Sequence, residues 1–500
     1  MIHKKWLAMA VISAALFLIG IDMTVLYTAL PTLTHALNAS NSEKLWVINA
    51  YPLAMAGLLL GLGTLGDRIG HRPVFMTGLF LFGLASFGAA FSPSVGYLIA
   101  GRALLAVGAA MMMPASLALI RQIFETDHER AIAIGVWGSV YSGAAAVGPL
   151  LGGLLLSKFW WGSVFLINVP VVIVALLLTP LLIKKTSGNP NRAWDFIGSL
   201  IVMVALVSLT YALKEVVKPT PDVLLAVISL LLGVVFMAWF VGRQNRSASP
   251  TVDFALFRSA GFLGGVLAIL VSMVAFMGVQ LILTQRLQLV LGFTPLQSGL
   301  FMLPMSLASF LTGPLIGSKL LRLGVDRALW IALLIGATGL AGLAYFEHGT
   351  FTLQIISLFV FGFGAGATAS ISSTAIMINA PEEKAGMAAS IEGVSFEIGG
   401  AIGVALMGSI ATYLYSSSIN LPTGLLDGER ARDSLDQAVM LAGHLDANVA
   451  KHLIVNADSA YDTAYLGVVL TGAAIMAALG MIYARFLRPT NIRGADTRRH

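Results

Sequence analysis

The chain of 500 residues contains no cysteine. That excludes a disulfide framework and any thiolate metal or redox site. Charge is scarce too: Asp, Glu, Lys and Arg make up 11% of the residues, against about a quarter in an ordinary soluble domain. With 57% of its residues hydrophobic, such a chain has lipid as its natural solvent. No Gly-x-x-x-x-Gly-Lys-Ser/Thr loop occurs, which disfavours direct ATP-driven work. The eight histidines fall in segments that read as loops or termini, arguing against a buried histidine metal site. No nucleophile, base and metal constellation is evident at membrane depth, so an enzyme is not expected and no cofactor is called for. The formal charge of +6 is scattered over short loops instead of forming one basic stripe. It reads as membrane topology, not as a nucleic-acid interface.

What the chain has in abundance is apolar runs of the ~20 residues that a bilayer-spanning helix needs. Fourteen are read, over about 6–30, 45–66, 74–92, 95–120, 131–156, 161–183, 196–213, 222–242, 260–284, 296–318, 328–346, 351–378, 386–414 and 464–487. The opening MIHKKWLAMAVISAALFLIG has the basic and apolar regions of a signal peptide. Its apolar run continues to Leu30 without a convincing small-x-small site, so it reads as the first span. An even count puts both termini on one side. Most of the 30 Lys and Arg residues fall on that side, which predicts cytoplasmic termini.

Three blocks follow. Residues 1–183 form a six-helix bundle. Residues 184–258 form a linker with inserted helices 7 and 8, bounded by KKTSGNPNRAWD and GRQNRSASPTVDFALFR. Residues 259–500 form a second six-helix bundle, including a polar outer loop at about 415–463. Within that loop, ERARDSLDQAVMLAGHLDANVAKHLIV has apolar residues at helical spacing, predicting one or two short amphipathic helices. GTLGDRIGHRPVF, after span two, is echoed by GSKLLRLGVDRAL after span ten. Two related six-helix halves with a substrate site at the midplane between them are a known transporter plan. The expected fold class is therefore all-α and polytopic.

Two motifs stand out. In GTLGDRIGHR, Gly63 and Gly70 permit a tight turn, while Asp67, Arg68 and Arg72 offer charges that could latch one half against the other; the alternative is a basic loop that only sets topology. In GAAAVGPLLGG, Gly143, Gly148, Gly152 and Gly153 present a smooth face for close helix packing, and Pro149 removes a backbone donor and favours a bend. A hinge or seal and ordinary small-residue packing are both open readings of that segment.

Both motifs resemble those of the major facilitator superfamily. IDMTVLYTALP, residues 21–31, resembles the first-helix signature of its fourteen-helix drug:proton antiporters, and WWGSVFLINVP, residues 160–170, resembles their sixth-helix entry. The likeness covers nearly the whole chain and is greatest to exporters of quaternary ammonium compounds and methyl viologen. LIAGRALLAVGAA keeps the family's fourth-helix Arg102 and Gly108 but has Leu105 and Ala106 where Gln-Gly is usual. The resemblance implies a major facilitator fold with 14 transmembrane helices. It also implies a monomeric exporter of lipophilic cations in a bacterial inner membrane, driven by a proton gradient.

Ionisable groups inside spans are costly and carry a functional hypothesis by default. Four occur: Asp22, Arg102, Glu392 and Glu397. They are the expected proton-coupling and cation-binding residues, each with a structural ion pair or hydrogen bond as its plainer reading. At ~1.5 Å per residue, Asp22 lies ~24 Å into its helix, in the outer half, whereas Glu392 and Glu397 lie ~9 and ~17 Å from the inner start of span thirteen. Five residues apart, those two carboxylates are separated by ~140° around the helix and are not expected to face one point. Tyr51, Met113, Trp137, Tyr141, Gln280 and Phe361 are candidate cavity walls, since methionine is adaptable and aromatic faces attract organic cations. An exporter of a metabolite or anion would instead need cationic groups in its cavity, and only Arg102 lies deep in a span. A sensor or scaffold would not need the carboxylates.

Overall fold

The computed structural model describes residues 2–185, 188–190, 194–216, 221–247, 250–319, 324–381, 384–421 and 428–486. Among them every regular element is helical: α1 (Ile2–Leu37), α2 (Asn41–Ile69), α3 (His71–Ala90), α4 (Val95–Ile123), α5 (Asp127–Leu156), α6 (Ser163–Leu166), α7 (Asn168–Leu182), α8 (Phe196–Val216), α9 (Val223–Arg246), α10 (Ala260–Gln285), α11 (Pro295–Lys319), α12 (Val325–Tyr345), α13 (Phe351–Ile378), α14 (Ala385–Ser418), α15 (Gly428–Asp433), α16 (Leu435–Ala442) and α17 (Ala447–Phe486). A 3-10 turn at Phe254–Arg258 precedes α10, and a π-helical turn at Arg286–Val290 follows it. Thirteen helical segments of the described residues are long and apolar enough to cross a membrane, with α6 and α7 counted as one. Helix α11 stands where the remaining expected span was read. The chain is an all-α, multi-pass membrane protein.

Local chemistry sets the helix ends. At the start of α2, Ser40 and Glu43 form a reciprocal capping box, satisfying two of the amides that a helix N-terminus leaves free. The turn from α2 to α3 is a single residue, Gly70, at φ 100°, a conformation that a side chain would oppose. Its counterpart in the second half is Gly324, at φ 85° immediately before α12. The sequence echo between the halves thus corresponds to one backbone device used twice.

Helices α1–α7 pack among themselves, as do α10–α14 and α17. The two groups meet along α2 with α14 and along α5 with α11. Small residues allow the closest approaches: Gly78 of α3 faces Gly108 of α4, and Gly336 of α12 faces Gly364 of α13, as expected where packing replaces hydrophobic exclusion. The α8–α9 pair lies against α2 and touches α14, with Gly57 under Met203 and Gly61 under Ser199. Most of the outer face of α9, including Leu224, Leu231 and Val235, is exposed.

The expected outer loop needs correction. The last span begins at Ala447, not at 464, and α14 runs on to Ser418, so the outer loop is much shorter than 415–463. Residues 447–463 look polar in composition, yet Leu453, Ala457, Ala460 and Tyr461 share one buried stripe at helical spacing, and the helix continues through them. The sixth span stands as expected, Ser163–Leu182, with Ile167 between α6 and α7 also in the right-handed helical region.

Candidate functional site

Asp22 of α1 and Arg102 of α4 form a buried ion pair. Their side chains are 0% and 2% exposed. Arg102 Nε also donates to the Val47 carbonyl at 3.3 Å, and its guanidinium lies 4.7 Å from the centre of the Tyr51 ring. Asp22 Oδ1, the Tyr51 hydroxyl and both amide atoms of Asn49 have no hydrogen-bond partner among the described residues. Three helices of the first half therefore converge on one desolvated, internally neutralised pair.

The second half contributes a carboxylate with no such partner. Glu397 of α14 is buried, and its Oε2 is unpaired among the described residues. It lies within electrostatic reach of Arg102, Tyr27, Tyr51 and Tyr141. The Tyr27 hydroxyl meets Met277 Sδ at 3.4 Å, the Tyr141 hydroxyl meets Met23 Sδ at 2.9 Å, and Trp137 stacks on Tyr141 with centroids 6.4 Å apart. Trp137 Nε1 donates to Ser116 Oγ at 2.9 Å, and that hydroxyl donates to the Met113 carbonyl at 2.6 Å. On α10, Gln280 is buried with both amide atoms unpartnered among the described residues. Such a constellation of aromatic faces, soft sulfurs and one uncompensated carboxylate suits an organic cation or a proton.

Other candidates lie elsewhere. Glu392 hydrogen-bonds Ser373 of α13, so the two carboxylates of α14 have different neighbours, as their spacing implied. Phe361 is fully buried, 5.9 Å from Phe276 by ring centroids, with its backbone against Gly339. It sits in the packed core of the second half.

The glycines of α5 divide between two partners. Gly148 and Gly152 lie against Thr24, Val25 and Thr28 of α1, while Gly153 lies against Pro295 and Leu296 and Gly143 faces Phe310, all on α11. Gly299 of α11 in turn rests on the Pro149 carbonyl. The segment from 143 to 153 is therefore at the seam between the halves.

The loop after α2 differs from the expected latch. Asp67 pairs with His71 at 3.4 Å, and Arg68 and Arg72 make no ion pair among the described residues. Gly63 faces Pro114 of the same half. The loop's contacts run to the linker: Asn189 N donates to the Asp67 carbonyl at 2.8 Å, Gly188 rests on the Arg68 carbonyl, and Trp194 Nε1 donates to the Gly61 carbonyl at 2.9 Å. Asp195 accepts from Arg243 at 2.9 Å. Burial pushes the Asp195 carboxyl up, but hydrogen bonds from Arg243 and the Gly198 amide outweigh it and hold the group below its ordinary value. Asp67, Trp194, Asp195, Trp239, Arg243 and Arg246 line a cleft of about 910 Å³. The one-residue Gly70 turn sets the ends of α2 and α3 beneath this linker, which is why the loop meets it.

Sequence reasoning missed a cluster on the face opposite the termini. Lys44 lies just before the second expected span, where a charge ordinarily reports topology, yet its side chain is 5% exposed. It donates to Asp436 of α16 at 2.6 Å and to Gln285 of α10 at 2.8 Å. Asn41 joins Asp433 and Thr412, and Gln437 donates to the Ala39 carbonyl at 3.1 Å. Together these contacts close that face between the halves. Arg286, inside the π-helical turn, binds Asp462 at 2.7 Å and Glu347 at 3.4 Å. No composition signal separates these charges from topological ones, because their partners are distant in sequence.

The sequence profile of the Major Facilitator Superfamily matches residues 12–404. The chain is 38% identical over 487 residues to the methyl viologen resistance protein SmvA of Salmonella typhimurium, covering 96% of this chain and 98% of that one. It is 34% identical over 490 residues to the multidrug efflux pump LfrA of Mycolicibacterium smegmatis, covering 97% of each. Among solved structures, an inward-facing bacterial homologue of the human lysosomal transporter Spinster superposes with a TM-score of 0.69 at 16% identity, over 96% of this chain and 97% of that one. With this profile match, these full-length relatives and this helical architecture, the chain belongs to the major facilitator superfamily and is a membrane transporter, not an enzyme.

Proposed function

We propose that this transporter exports lipophilic organic cations from the cytoplasm across the bacterial inner membrane, exchanging them for protons. Both termini are cytoplasmic in this reading, and the closed face with Lys44 and Asp436 points outward. The carrying observation is Glu397: a buried carboxylate with an unpaired oxygen, at the seam between the halves, among tyrosines and methionines. A carboxylate so placed binds a proton or an organic cation, one at a time, and that exclusivity is what exchange requires. Asp22 and Arg102 supply a second, already neutralised pair within reach, so a proton arriving at Glu397 can alter how tightly the pair is held. The names and coverage of SmvA and LfrA support export of drugs and viologens.

The test uses the purified chain in liposomes with an imposed pH gradient. Methyl viologen and a monovalent quaternary ammonium ion should be moved against their gradients, and neutral and anionic compounds should not. Glu397→Gln should abolish proton release on cation addition in detergent while the protein remains folded. Cation-induced proton release undiminished in Glu397→Gln would overturn the assignment of the exchange site.

A further inference from the structure

We propose that Thr24 is a positioning residue that couples the Asp22 segment of α1 to the Pro149 turn of α5 by carrying the carbonyl that Pro149 leaves without a donor. In an α-helix the carbonyl of residue 145 would accept from the amide of residue 149. Pro149 has no amide hydrogen, and inside a bilayer no bulk solvent replaces it. Thr24 Oγ1 of the neighbouring helix lies 2.9 Å from the Ala145 oxygen and donates to it. The fit is built in. Thr24 is buried, and a side chain at Gly148 would collide with its hydroxyl.

The same hydroxyl has a second place to go. The Ile21 and Gly20 carbonyls of its own helix lie at 3.4 and 3.5 Å. If α5 withdraws, Thr24 turns back onto α1, and the Ala145 carbonyl must find another donor. The neighbouring residues tie this bond to the site. Asp22 holds Arg102, and Met23 Sδ accepts from Tyr141 of α5 at 2.9 Å. On its other side the Pro149 turn is gripped by α11, with Gly299 on the Pro149 carbonyl. A shift of the second half against α5 is therefore felt at residues 22–24. The bond favours the state seen here, with the face opposite the termini closed.

The idea rests on the exchange reading for its consequence but not for its test. The chain has no cysteine, so Ser94→Cys and Thr350→Cys, one in each half, can carry spin labels without background. Pulsed EPR distances between them should show Thr24→Val shifting the population away from the closed state by about tenfold. Thr24→Ser should restore the native distribution. In a Pro149→Ala background, where residue 149 again donates to the Ala145 carbonyl, adding Thr24→Val should cause no further shift. An equal shift in both backgrounds, a serine variant as displaced as the valine one, or no shift at all would overturn the proposal. In liposomes, Thr24→Val should lower the maximal efflux rate with KM unchanged, and a fall in affinity instead would place Thr24 in the binding site. Absence of cation transport in the parent protein would refute the exchange reading while leaving the EPR result to judge the hydrogen bond.

Discussion

Removing either member of the Asp22–Arg102 pair should cost far more than removing both. In Asp22→Asn the guanidinium loses its ion-pair partner and keeps a neutral amide oxygen, the Val47 carbonyl at 3.3 Å, the Tyr51 ring at 4.7 Å and the more distant Glu397, and it stays almost fully buried. In Arg102→Met the Asp22 carboxylate, 0% exposed, loses its one charged partner. Leaving a buried charge uncompensated costs about 3–5 kcal/mol, whereas replacing a whole pair with neutral groups of similar size is often close to neutral. The double-mutant cycle should therefore show a coupling of at least about 3 kcal/mol. Reversible unfolding in mixed detergent micelles titrated with SDS reads all four proteins. Efflux driven by a pH gradient separates structure from coupling, since the double variant should be stable and still inactive. Additivity of the two single variants within about 0.5 kcal/mol would refute the claim that the pair is desolvated and mutually neutralised. Active efflux by Asp22→Asn would refute its part in coupling.

Three further outcomes are expected. Lys44→Met leaves Asp436 buried without its cation and should open the closed face, raising the reactivity of an Ala438→Cys thiol, at a position now 0% exposed, toward a membrane-impermeant reagent; unchanged labelling would show that the cluster does not hold that face shut. Asp67→Asn weakens the contact with His71 beside the linker, so turnover should slow more than equilibrium cation binding weakens, and equal losses in both would indicate damage to the site instead. Asp253 is held below its ordinary carboxylate value by the hydrogen bond from Lys384 at 2.5 Å. Its stabilising contribution is therefore full above the unfolded carboxylate pKa of about 3.9 and is lost only as pH falls through the lowered value. Asp253→Asn should lower the melting temperature equally at about pH 5 and pH 8, and a pH-dependent difference in that window would contradict the pairing.

The spans were legible because a bilayer imposes length and apolarity on each segment separately, and the sequence needs no partner to display them. The exception is instructive. Residues 447–463 carry enough polar groups to read as a loop, but their apolar stripe is used against neighbouring helices and not against lipid, so composition misread them while periodicity held the signal. The in-span charges were legible for a similar reason: Asp22, Arg102 and Glu397 stand out against apolar neighbours wherever they end up. Their pairing was not. Asp22 and Arg102 are 80 residues apart, and nothing in either helix names the other.

The latch and the closed face show the same limit from the other side. Asp67, Arg68 and Arg72 looked like a network because they are close in sequence, yet Asp67 finds His71 and the linker. Lys44 looked like a topological charge, yet it is held between α16 and α10.

By itself the sequence determined the solvent, the helices, the tight glycine turns and which few ionisable groups must be satisfied inside the membrane, because each follows from local composition and period. Only the tertiary structure decided which charges neutralise one another, which carboxylate keeps an oxygen free, and which helix completes the carbonyl at the α5 proline. Those outcomes depend on distances between residues far apart in the chain, and in a medium that supplies no hydrogen bonds of its own such distances decide whether a polar group is a structural contact or a site.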